Sequence, residues 1–181
     1  MERRTEAQWL LDHKTVNSIM IHNRNAGIRK IYMFLDFDGV VNVFVLPGTK
    51  RYEEMQESGN FEFFDRGCVR RLNDFVRDWP VTIVISSSWR FGGLDYCMEY
   101  LREGGLAEHV VFSDTTSLEL DGPREELIMD YLLYHPDFTG FIIFDDILMT
   151  HLRDYLVHTD PMIGWDEERD QCARKIIQKF M

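Results

Sequence analysis

The sequence predicts an α/β fold built on a central parallel sheet, and three features carry that prediction. Short apolar runs at Ile31–Leu35, Val81–Ile85 and Phe141–Phe144 are rich in β-branched and aromatic residues and have the length of buried strands. Longer stretches with apolar residues at helical spacing separate them, as in units that alternate strand and helix. Each run ends in polar residues instead of a hairpin turn: Asp36-Phe37-Asp38-Gly39, Ser86-Ser87-Ser88-Trp89-Arg90 and Asp145-Asp146. In open parallel sheets the ligand crevice lies outside those carboxyl ends.

Composition narrows the class. A chain of 181 residues with 45% hydrophobic content fits one globular domain with an ample core. A net charge of -11 opposes non-specific binding to phosphate backbones or anionic membranes, so a phosphate-bearing substrate needs a locally positive site. Cys68, Cys97 and Cys172 are odd in number, widely spaced and fall within predicted helices, which reads as reduced packing residues and an intracellular, cytoplasmic compartment. No stretch has the length and apolarity of a membrane span, and the amino terminus lacks the apolar core of a secretory signal.

Taken in order, Thr5-Glu6-Ala7-Gln8 has the form of a capping box and opens a helix over about residues 6–22, with Trp9, Val16, Ile19 and Met20 on its apolar stripe. Residues 1–30 read as an N-terminal helical extension packed on the sheet, and residues 31–181 as the main domain. After Asn42, Pro47-Gly48 and Gly59-Asn60 are turn chemistry, so residues 43–64 read as a loop or small hairpin forming a flap. Asp65 caps a helix whose face holds Cys68, Leu72, Phe75, Val76 and Trp79, and Pro80 stops it. Asp95–Glu103 forms a short helix closed by Gly104-Gly105, and His109–Phe112 a third strand. Asp121-Gly122-Pro123 opens a helix that buries Leu127, Ile128, Tyr131 and Leu132. Tyr155–Val157 is an edge strand, and Asp166 starts a final helix with Cys172, Ala173, Ile176, Ile177 and Phe180 on one face.

The chemistry concentrates at the strand ends. Phe37 turns into the core while Asp36 and Asp38 look into the crevice, and Gly39 relieves the backbone. Like charges this close call for a hard cation or for one protonated partner, so the pair reads as a metal site, an acid/base couple, or both. Asp145 and Asp146 repeat the demand at another strand end; one of them could instead cap a helix. Arg90 offers a fixed fork of donors for a phosphate, or an ordinary surface ion pair. Arg124 sits in the first turn of a helix, where the macrodipole disfavours a cation. His151 and His158 read as surface or loop residues.

Leu35-Asp36-Phe37-Asp38-Gly39-Val40 resembles the first motif of the haloacid dehalogenase (HAD) superfamily of phosphotransferases. The apolar strand ending in Ser86, the basic Arg124 at a helix start, and Phe144-Asp145-Asp146 resemble its second, third and fourth motifs, in the same order. Ser86-Ser87-Ser88-Trp89-Arg90 with the late Val157-His158-Thr159-Asp160-Pro161 and Gly164 is similar to the HAD domain of Swiss Army Knife RNA repair proteins, whose usual Leu-Thr after the glycine is replaced here by Trp165-Asp166. The resemblance implies a three-layer HAD-like sandwich with a minimal, C0-type cap. It implies Asp36 as nucleophile, Asp38 as general acid/base, and Ser86, Ser87 and Arg90 as phosphate-binding residues. It also implies Arg124 as the neutralising cation, and Mg2+ held by Asp36, the Asp38 carbonyl, Asp145 and Asp146. The expected activity is Mg2+-dependent hydrolysis of phosphomonoesters through an aspartyl-phosphate. Nucleic-acid ends, nucleotides and other small phosphate esters stay equally open as substrates, with Arg24, Arg29, Lys30, Lys50, Arg51, Arg70 and Arg71 as the basic residues able to meet a polyanion. A catalytically silent regulatory protein on the same fold is the competing reading, and oligomeric state is left open.

Overall fold

A computed structural model describes residues 3–58, 64–119 and 122–181. Five parallel strands, β1 (Ile31–Leu35), β2 (Val81–Ile85), β3 (Phe112–Thr115), β4 (Gly140–Asp145) and β5 (Leu156–His158), form one sheet in the order β3-β2-β1-β4-β5. The first strand lies at the centre with β2 and β4 on its flanks, pairing Leu35 with Ile85 on one side and Phe144 on the other. The chain therefore reverses its winding direction beside β1, which is where such sheets bind ligands.

Strand alternation sends successive side chains into two separate cores. Met33, Leu35, Ile83, Ile85, Ile142 and Phe144 face α3 (Arg66–Asp78), α4 (Leu94–Glu103) and α6 (Glu167–Ile177), meeting Leu72, Phe75, Leu101 and Ile177. Tyr32, Phe34, Val84, Phe141 and Ile143 face α1 (Glu6–Asn25) and α5 (Arg124–Tyr134), meeting Trp9, Val16, Ile128 and Leu132. The three layers match the expected HAD-like sandwich. Each fully buried side chain of this kind contributes about 1.5–3 kcal/mol.

The helix signals act as the sequence predicts. Thr5 and Gln8 close a reciprocal capping box on α1, which runs on to Asn25 because Asn23 is buried and donates to the carbonyls of Pro136 and Phe138. The Asp65 carboxylate accepts from the amides of Gly67 and Cys68, and Asp166 caps α6 through the amide of Arg169.

Three expectations are corrected. The third strand is Phe112–Thr115, not His109–Phe112: Val110 turns its side chain into the core after a turn to Ala107, and only beyond it does the chain align with β2, across a bulge between Ile83 and Val84. The flap holds a helix, α2 (Lys50–Ser58), where a loop or hairpin is expected; Thr49 starts it by accepting from the amide of Tyr52. Cys172 is exposed on α6 instead of packing, while Cys68 and Cys97 are buried, and all three thiols are free. The turn at Gly59-Asn60, Phe61–Phe63 and Asp121 lie outside the described residues. Among the described residues no helix is long and apolar enough to cross a membrane.

Candidate active site

The carboxyl edge of the sheet builds the site almost by itself. Backbone bonds run across that edge from the amide of Thr116 to the carbonyl of Ile85, from Ser86 to Leu35, and from Asp36 to Phe144. Extending the registers by one residue places Thr116, Ser86, Asp36 and Asp145 side by side at a single level. Alternation turns all four toward the α1/α5 layer, and adjacent strands lie only about 4.8 Å apart. Two carboxylates are thus forced together in a dry place.

Arg124 answers that charge from the first turn of α5. Its Nη1 lies 3.2 Å from Asp36 Oδ2 and 3.0 Å from Asp145 Oδ2, and all three side chains are almost wholly buried. Each aspartate spends its other oxygen on the backbone: Asp36 Oδ1 accepts from the Phe37 amide at 2.8 Å, and Asp145 Oδ1 from the Ile147 amide at 2.9 Å. One guanidinium is not enough. Burial pushes the Asp145 carboxyl up to about 7, with Arg124 pulling the other way and the charge of Asp36 adding to the rise. Burial and the charge of Asp36 also raise Asp146.

Asp36, Asp145 and Asp146 bring a carboxylate oxygen each within 4.8 Å of one another, among the described residues. An all-oxygen set with excess negative charge suits a hard divalent cation, so these residues fit a metal ion. Gly39 makes the cluster possible: at φ 75° it passes so close that a Cβ there would sit 2.6 Å from Asp146 Oδ2.

Asp38 contributes no side-chain oxygen to that cluster. Its Oδ2 accepts from Trp89 Nε1 at 2.9 Å and its Oδ1 from Asn42 Nδ2 at 3.0 Å, while the Tyr100 hydroxyl donates to Asn42 Oδ1 at 3.0 Å. The rings of Trp89 and Tyr100 lie 4.2 Å apart, so the two donors are packed together.

The family model for the HAD domain in Swiss Army Knife RNA repair proteins matches residues 32–169. The chain belongs to this family. No curated protein and no solved structure matches it. In this HAD domain the departure from Leu-Thr after Gly164 has a packing reason: Trp165 is fully buried and stacks on Phe144 at 4.0 Å, and Asp166 is the cap of α6. Gly164 itself has φ 71°, and a Cβ there would meet the Val40 carbonyl at 2.7 Å.

The other motif residues of the HAD domain divide. The Ser86 hydroxyl is wholly buried and finds no hydrogen-bond partner among the described residues, which is what a phosphate-binding hydroxyl needs. The Ser87 hydroxyl is already engaged, accepting from the Trp89 amide at 3.3 Å. Arg90 is buried and braces its loop, donating from Nη1 to the Ser87 carbonyl at 3.0 Å and from Nε to the Ser117 carbonyl at 3.2 Å. It is no surface residue. His158 is exposed and contacts the Asp146 carbonyl, whereas His151 is half-buried, stacked on Trp9 and placed between Glu125 and Glu6.

Sequence reasoning quoted Asn42 and Trp89 without giving them a task, and it missed Thr116, a second wholly buried hydroxyl lacking a partner among the described residues. Thr116 was findable as the residue that follows a strand. Trp89 was not, because it meets Asp38 across 51 positions of sequence.

Proposed function

We propose that this HAD domain is a Mg2+-dependent phosphomonoester hydrolase that works through an aspartyl-phosphate on Asp36, with nucleotides or nucleic-acid ends as substrates. The observation that carries the proposal is Asp36 itself, buried between Arg124 and the Asp145–Asp146 pair while Asp38 is held by separate donors. A silent relative gains nothing from keeping so costly a cluster of charges.

Asp36, fixed through Oδ1 by the Phe37 amide, attacks phosphorus and forms the acyl phosphate as the bond to the leaving oxygen breaks. Asp38 gives its proton to that oxygen, then takes one from the water that hydrolyses the intermediate. Arg124, the Ser86 hydroxyl and neighbouring amides meet the charge spread over the phosphoryl oxygens. Mg2+, held by Asp36, Asp145, Asp146 and the Asp38 carbonyl, would supply further neutralisation of nucleophile and phosphate. The flap is small, which suits a substrate too bulky to be enclosed. The free thiols support a reducing, cytoplasmic setting.

The test is phosphate release, with and without Mg2+, from p-nitrophenyl phosphate, mononucleotides, and 3′- and 5′-phosphorylated oligonucleotides, comparing wild type with Asp36→Asn. Release by wild type alone, strongest on a nucleotide or oligonucleotide, is the expected result. Silence across the panel from folded protein would favour the regulatory reading.

A further inference from the structure

We propose that the cleft between the loop after β2 and the start of α5 is a stacking subsite for the nucleobase next to the scissile phosphate, with Phe91 as its platform. The proposal rests on the reading of the carboxylate site as a phosphomonoesterase and goes further by assigning where the substrate's leaving portion binds.

The cleft has a volume of about 430 Å³ and is lined by Arg124, the same residue whose guanidinium touches Asp36 and Asp145. A group lodged there lies one side chain away from the reacting centre. Around Arg124 the lining is unexpectedly apolar for a site of charge: Phe91 is 63% exposed, Ile147 49% and Leu148 76%. Exposed hydrophobic residues scattered singly need no explanation, but three in one cleft that also presents the site's cation mark a binding surface.

Phe91 is prepared for stacking. The Arg90 guanidinium lies 4.5 Å from the centre of its ring, and that guanidinium is itself buried and fixed by the carbonyls of Ser87 and Ser117. One face of the phenyl ring thus rests on an anchored planar group, and the ring keeps most of its surface in solvent, so a second flat group can stack at little cost in ordering. Flat aromatic bases attached to a phosphate are the ligands that need an aromatic face and a guanidinium within one site. The volume is at the lower end of the roughly 300–1,000 Å³ of small-ligand sites, which suits one nucleoside. A longer tract is disfavoured: the net charge of -11 repels it, and Arg24, Arg29 and Lys30 precede β1 and so lie at the opposite edge of the sheet from Asp36. A larger cleft of about 500 Å³, bounded by Arg66, Arg70 and Glu103, includes none of Asp36, Asp38, Asp145 and Asp146 and neither Arg124 nor Phe91.

Two measurements on the Mg2+-loaded protein test this. The first is the ratio of kcat/KM for a 3′-phosphorylated deoxyadenosine dinucleotide to kcat/KM for acetyl phosphate, which has no aromatic group. Phe91→Ala is expected to lower the ratio roughly tenfold, within the cost of losing one base–aromatic stack, through KM for the dinucleotide, and Phe91→Trp to restore it. An unchanged ratio in an active enzyme overturns the subsite and leaves the phosphatase reading standing. The second measurement is calorimetric binding of adenosine 3′-monophosphate in an Asp36→Asn background, where turnover adds no heat of its own, and it serves even if wild type hydrolyses nothing and the phosphatase reading falls. Binding weakened by adding Phe91→Ala supports the subsite; equal binding, or none before that change, overturns it.

Discussion

Asp36 and Asp38 are chemically identical side chains two positions apart, yet the fold gives them opposite surroundings. Asp36 closes a strand and faces α5, where its neighbours are ions: Arg124 on one side, Asp145 and Asp146 on the other. Asp38 lies past the strand end and faces the aromatic layer of Trp89 and Tyr100, where its partners are neutral donors. The first environment crowds like charge around Asp36 and sets a single guanidinium against it. The second holds its carboxylate by hydrogen bonds from neutral donors, and the proposed division into nucleophile and acid/base group rests on that difference.

Substitutions on the two sides should fail differently. On the proposed mechanism Asp36→Asn removes the attacking oxygen and should lower turnover by about a thousandfold or more for every substrate, whatever its leaving group. Asp38→Asn should cost roughly 10²–10⁴-fold on alkyl phosphates, whose leaving oxygen must be protonated, and much less in the first step on p-nitrophenyl phosphate. A plot of burst rate against leaving-group pKa separates the two, and parallel slopes would refute the division of roles.

Arg124→Ala strikes the ionic side through stability as well. It leaves Asp36 and Asp145 buried without their guanidinium, a loss of about 3–5 kcal/mol for a broken buried pair. Thermal denaturation should show the loss, with Mg2+ recovering part of it by binding the folded state. Trp89→Phe is the gentler counterpart on the neutral side. Losing one hydrogen bond to Asp38 should lower turnover on poor leaving groups by roughly tenfold while thermal stability changes little.

The smallest effect is expected where neither carboxylate is touched. Burial works against the charged ring of His151, but its hydrogen bonds to Glu125 and Glu6 outweigh that and raise its pKa. The folded state therefore binds the proton more tightly than the unfolded one. The contribution is fully present below the ordinary histidine value of about 6.5 and is lost as pH rises through the raised folded value. Subtracting the stability curve of His151→Gln from that of wild type should show a difference that shrinks on going from pH 5.5 toward pH 8.5.

Much of this was readable from sequence because its signals are local. The strand runs, the caps at Thr5, Asp65 and Asp166, and the order of the acidic and serine strand ends depend on residues within one turn or one strand of each other. The failures share the opposite cause. β3 has the sequence Phe-Ser-Asp-Thr, where Ser113 and Asp114 break the run of strand formers, and becomes a strand because β2 offers it an unpaired edge. The α2 segment carries turn residues on both sides, which hid the helix between them. Cys172 has the helical spacing of its apolar neighbours but not their contact with the sheet.

What the sequence by itself determined is the inventory and its order: four acidic residues, a serine and an arginine, each placed at a strand or helix end by periodicity and capping. Tertiary structure decided which of them meet. Register sets Ser86, Asp36 and Asp145 at one level, α5 brings Arg124 onto two of them, the loop after β2 carries Trp89 to Asp38, and α4 carries Tyr100 to Asn42, the second donor to Asp38. The physical reason is range. Backbone preferences and caps act over a few residues, whereas burial and charge act through space, and only the assembled sheet gives two carboxylates separated by 109 positions a single dry place to share one cation.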